Sequence, residues 1–181
     1  MREHIAIAVA GCLLCSCASP RTAQRRDVVV RLYTHAALFD PCGATHDLFQ
    51  ADTAFALPVF LKVFRELQSW DKLGHKRSDF RQTMLDRACI TLGGDKRAIL
   101  AVVETGAEDP SPDVRKIAAG CISAYLGQDG LRMLATLAED PDSGVASLAE
   151  QIMAEIQRED PEGAEPAPGH VPSKAAADGA L

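Results

Sequence analysis

Cysteine, histidine and carboxylate side chains are the groups that bind metals and move protons, and here they cluster most densely at Phe39-Asp40-Pro41-Cys42-Gly43-Ala44-Thr45-His46-Asp47, with His35 just upstream. Cys42 and His46 are four positions apart, a spacing that suits two ligands of one metal. A tetrahedral zinc site needs further ligands, and no Cys-x-x-Cys or His-x-x-x-His pair supplies them. One reading is a small enzyme or metal-handling protein centred on Cys42, His46 and Asp47. The other, favoured by the missing ligands, is a plain turn: Asp40-Pro41 stops one helix and Thr45 caps the next. The chain has no nucleophile elbow, HExxH motif, Walker loop or dinucleotide fingerprint, and Leu92-Gly93-Gly94-Asp95 reads as a turn before a helix. The expectation is a non-enzyme that uses no cofactor and no metal.

The elements that would position such residues are helical. Only six Phe, two Tyr and one Trp occur, while alanine is frequent, a composition that favours closely packed helices over a β-sandwich. The net charge of −6, with no basic cluster free of acids, excludes nucleic acid as a partner. Apolar residues recur at the helical period between Asp27 and Arg158. Val28, Val29, Leu32, Ala36 and Phe39 predict one helix, although the β-branched content of Val28 to Tyr33 would also suit a strand. Val59, Phe60, Val63, Phe64 and Leu67 make the apolar stripe of another, opposite Lys62, Arg65 and Glu66, with Pro58 near its start. Residues 159–181 are rich in proline and glycine and poor in large apolar groups, which predicts a disordered tail.

At the other end, Ile5 to Leu14 form an uncharged apolar run of ten residues, right for the core of a signal peptide and too short for the roughly 20 residues that span a bilayer. The run ends Leu14-Cys15-Ser16-Cys17. This resembles the lipobox of bacterial lipoproteins, which implies cleavage after residue 16 and lipidation of Cys17. Cys15 and Glu3 depart from that pattern, and Cys12 offers a competing site with a shorter apolar run before it. Residues 17–26 would then be a lipidated polar tether, and the protein would sit outside the cytoplasm, anchored to a bacterial membrane. Ala18 lacks the aspartate that favours inner-membrane retention in such lipoproteins, which points to the outer membrane, facing the periplasm.

The central region repeats. Laid on residues 138–153, residues 107–122 share six of sixteen identities at a period of 31: Ala107/Ala138, Glu108/Glu139, Asp109/Asp140, Pro110/Pro141, Val114/Val145 and Ala118/Ala149. In both copies Ser111 or Asp142 can cap the helix that follows. A fainter copy at a shift of 33 sets Met84, Leu85, Ala88, Cys89 and Leu92 on Ile117, Ala118, Cys121, Ile122 and Tyr125, and Gly94 on Gly127. Each unit reads as a helix, a glycine turn and a shorter helix. The stretch Asp109 to Ala119, then Leu126-Gly127, then Leu134, Leu137 and Asp140 resembles the HEAT-like repeats also seen in phycobilisome lyases. Val114-Arg115 matches that family's turn into the first helix; Val145-Ala146 lacks the arginine, and Phe80-Arg81 holds one in a shifted frame. The resemblance spans roughly residues 78–158. It implies an α-α superhelix, a HEAT-like solenoid of two to three hairpins, behind a helical segment at 27–77.

Solenoids bind along the surface of their second helices, where equivalent residues line up in rows. The aligned rows here pair Ala98 with Arg132 and Val102 with Thr136, edged by Arg97 and Gln128, a mildly apolar and weakly basic strip. Cys89 and Cys121 fall on core-facing positions of neighbouring first helices and read as buried thiols. Together these features predict a lipid-anchored scaffold that holds a protein partner.

Overall fold

The computed structural model describes residues 20–71 and 77–159. The described residues are all-helical and include no strand. The leader, Cys17 and the tail beyond residue 159 lie outside them. Eight α-helices are described: α1 (Pro20–Ala37), α2 (Pro41–Ala51), α3 (Thr53–Asp71), α4 (Ser78–Leu92), α5 (Lys96–Ala107), α6 (Pro112–Cys121), α7 (Leu131–Ala138) and α8 (Ser143–Glu159). A π-helical turn at Ile122–Leu126 and a 3₁₀ turn at Gly127–Gly130 join α6 to α7.

Alternate helices pack side by side. The helices α2, α4, α6 and α8 form one row and α1, α3, α5 and α7 the other, with successive helices packed across the rows. One continuous core fills the space between them, built from Phe60, Phe64, Leu67, Leu85, Ile99, Ile122 and Leu134 among others. The predicted stripe Val59, Phe60, Val63, Phe64 and Leu67 is buried in full.

Local chemistry sets the helix ends. Asp40 accepts the Gly43 amide at 3.0 Å and Asp95 accepts that of Ala98 at 3.0 Å, each satisfying a donor that the first turn leaves without a helical partner. Asp142 takes the amides of Gly144 and Val145, as its capping role predicted. Ser111 does not cap with its side chain; Asp109, two residues earlier, accepts the Ser111 amide at 2.8 Å, and Asp140 does the same for Asp142.

Several expectations need correction. The β-branched run at Val28 to Val30 is helical, and α1 starts at Pro20, inside the expected tether: proline suits a first turn, and the Arg, Ala and Gln residues behind it favour helix. Its core face is Val29, Val30, Tyr33 and Ala37, which leaves Leu32 and Phe39 exposed. Pro58 lies inside α3, because Asp52 starts that helix earlier by accepting the Ala54 amide at 2.9 Å. The glycine with positive φ in the first turn is Gly93 (φ 24°), not Gly94, and its counterpart is Gly127 (φ 53°). That sets the shift between the first helices at 34 and pairs Arg81 with Arg115. The α8 helix extends through Glu159, into the first residue of the expected tail.

Candidate functional site

The neighbouring second helices α5 and α7 enclose a groove of about 520 Å³. Leu100 and Ala107 from α5 and Met133 and Leu137 from α7 give it an apolar lining. Glu104, Glu108, Asp129, Arg132 and Thr136 supply its polar groups. Lys96 at the start of α5 meets Asp129 before α7 at 2.7 Å, an exposed pair that contributes little stability but joins the two helix starts at one end of the groove. Thr136 donates to the Arg132 carbonyl at 3.3 Å within α7. Three acids and one arginine face this groove, so its rim is acidic, not weakly basic as the strip of residues suggested.

Of the predicted strip, Arg132 and Thr136 line the groove and Arg97 is exposed at the start of α5. Gln128 is exposed on the 3₁₀ turn and borders a separate depression with Ser123, Glu155 and Glu159. Ala98 and Val102 are core residues, 4% and 0% exposed, and present no surface to a partner. The alignment placed them outward because Arg132 and Thr136 are outward. Yet α5 has row neighbours on both sides, α3 and α7, and so buries a wider arc than α7, which among the described residues has only α5 beside it in the row.

The cysteine–histidine cluster does not assemble. Cys42 is half-buried in the first turn of α2, while His46 and Asp47 are exposed further along it. Thr45 does not cap a helix: it lies inside α2, fully buried, 2.8 Å from the Tyr33 hydroxyl. Burial pushes the Tyr33 phenol up, against the smaller opposing effect of that hydrogen bond. Among the described residues no three His, Cys, Asp or Glu side chains converge on a possible metal position. Cys89 and Cys121 are buried and unbridged. A hydrogen bond with Cys121 and then burial push the Cys89 thiol well above its ordinary range.

The strongest polar constellation is one that no motif announced. Arg81 on α4 is 0% exposed. Its Nε and Nη2 reach the two carboxylate oxygens of Asp109 at 2.7 and 2.9 Å, Nη2 also donates to Asp71, and Nη1 donates to the Leu67 carbonyl at 3.2 Å. Gln68 completes the cluster by donating to Asp109 at 3.1 Å. Burial works against the guanidinium charge, but the hydrogen bonds and charges of Asp71 and Asp109 outweigh it and raise its pKa. Arg115 repeats the arrangement one unit later: it clasps Asp140 at 2.7 and 2.8 Å and donates to the Asp109 and Pro110 carbonyls. Arg81 thus ties the end of α3 to the α5–α6 turn, and Arg115 ties the α5–α6 turn to the α7–α8 turn. The buried Arg81 is held away from solvent and from the groove, so its work is structural.

Among the described residues no helix is long and apolar enough to cross a membrane. No protein-family model matches the chain, and no curated protein or solved structure matches it either.

Proposed function

We propose that this chain is a lipid-anchored extracytoplasmic scaffold in which HEAT-like helical pairs hold a protein partner in the groove between α5 and α7. The groove itself carries this reading: an apolar lining with acidic groups at its edge is what accommodates a segment with apolar anchors and basic flanks. The repeat assignment is supported by the two rows of alternating helices and by the matching roles of Arg81 and Arg115 at the corrected shift. Ala146 stands where a third arginine would be expected, in α8, the last helix described. The anchor at Cys17 rests on the sequence pattern of the leader.

The test is site-specific photocrosslinking on the membrane-attached protein, with the crosslinker at Met133 in the groove or at Gln157 on the exposed side of α8. Capture of the same partner from Met133 but not from Gln157, lost when Glu104→Lys and Glu108→Lys are combined, is the expected result. Arg97→Glu with Arg132→Glu, on the same face, should alter capture without changing the helical signal. Equal capture from both positions would place binding elsewhere.

A further inference from the structure

The helix α1 presents a second surface, distinct from the groove. It packs on α2 and α3 through Val29, Val30, Tyr33 and Ala37. The face turned away from that contact carries Arg31, Leu32 and His35 and leads into Phe39 just beyond the helix end. Leu32 is 38% exposed and Phe39 78%, two of the three large hydrophobic side chains exposed among the described residues. The Phe39 ring lies 5.0 Å from the His35 ring, which makes one aromatic ledge of the pair. At 100° per residue, positions 31, 32 and 35 fall within about a third of the helix circumference, opposite the buried stripe, and Phe39 follows just beyond the helix end.

The sequence of this helix is basic within an acidic chain. Residues 20–37 contain Arg21, Arg25, Arg26 and Arg31 against Asp27 as their one acid, within a protein of net charge −6. A helix that joins a basic sequence to exposed aromatic and aliphatic groups has the composition of one that lies in the plane of a bilayer, its apolar side among the acyl chains and its cations at anionic headgroups. Long arginine side chains reach the headgroup level from such a position. We infer that the Arg31, Leu32, His35 and Phe39 face of α1 docks on an anionic phospholipid surface. The inference sits well with the proposed Cys17 anchor, which would deliver α1 to the membrane, but it rests on the face and charge of α1 and holds without the lipid.

The test places a fluorophore in that face of the full-length chain: Phe39→Trp combined with Trp70→Phe, so that one indole reports. Emission is measured with vesicles of equal parts phosphatidylglycerol and phosphatidylcholine, and with phosphatidylcholine alone. A blue shift with the anionic vesicles, quenching by shallow brominated acyl chains, and a several-fold weaker response on adding Arg31→Glu are expected. An indole that remains in water while the protein floats with the vesicles would show attachment through the N-terminal segment alone and would overturn the inference, leaving the anchor reading intact. So would a shift that appears without vesicles and grows with protein concentration, which would assign the face to a second copy of the chain. A shift induced instead by an acidic polypeptide, with none from vesicles, would assign it to a protein partner.

Discussion

Replacing Arg81 by methionine should be the most damaging single substitution on the face of α4 that meets the α5–α6 turn. Methionine preserves most of the length of the side chain and removes the charge. The substitution abolishes two short contacts to Asp109, the link to Asp71 and the bond to the Leu67 carbonyl. Asp109 would keep its hydrogen bonds from Gln68 and the Ser111 amide, but its carboxylate, 0% exposed as a side chain, would lose its countercharge. Stranding a charge in this way costs about 3–5 kcal/mol, a large part of the 5–15 kcal/mol typical of a whole domain. In a domain of this size that corresponds to a fall in Tm of about 10–20 °C. The internal control is Arg115→Met. Its pair with Asp140 is 13% and 7% exposed, so water can reach the carboxylate left behind, and a loss of about 1–2 kcal/mol is expected. Chemical denaturation followed by circular dichroism gives both values. Adding Asp109→Leu to Arg81→Met should recover part of the loss, since removing both partners is far less harmful than removing one. The reasoning fails if Arg81→Met costs no more than Arg115→Met, or if the double substitution is simply additive.

Three further outcomes follow from groups already described. The bond from Arg115 holds the Asp140 carboxyl below its ordinary value, so its contribution is present above the unfolded pKa of about 4 and is lost as pH falls through the lower folded value; denaturation midpoints measured across that acid range should fall for the wild type and fall less for Asp140→Asn. With its thiol pushed up and its side chain buried, Cys89 should react with iodoacetamide far more slowly than the half-buried Cys42, and peptide mapping of the native chain that finds equal rates would contradict the packing. For the anchor, Cys17→Ala should release the protein into the soluble fraction or leave it uncleaved while Cys15→Ala changes little; wild-type protein recovered unprocessed from the cytosol would refute export.

Periodicity made the helices readable, but the faces they bury depend on neighbours that a linear pattern does not contain. The α3 stripe was legible because that helix is strongly two-sided, with Lys62, Arg65 and Glu66 exposed opposite its buried residues. In α1 the apolar residues outnumber the core-facing positions, and choosing Leu32 and Phe39 over Val30 and Tyr33 turned the face by about one residue. The strip on α5 differs for a related reason: α5 has a described row neighbour on each side, and Ala98 and Val102 are buried. Arg81 was visible only as an arginine in a shifted frame. Its burial follows from Asp71 and Asp109 meeting there across 38 positions of sequence, a convergence that becomes legible once Gly93 and Gly127 set the shift at 34.

The clasp that ends at Ala146 bears on how the molecule opens. In the linear array proposed for this chain, each unit would lean on its nearest neighbours, and unfolding could begin at either end. Arg81 joins three segments at once, so the end of α3, α4 and the α5–α6 turn should open together as one block. The turn before α8 is held by Arg115, but α8 carries alanine at 146 and makes no equivalent clasp among the described residues. Native-state hydrogen exchange should therefore rise along a gradient, fastest in α8, intermediate in α6 and α7, and slowest around Arg81. The frayed margin would lie beside α7, so the α7 wall of the groove, held less tightly than the α5 wall, is the one that would yield to an incoming segment.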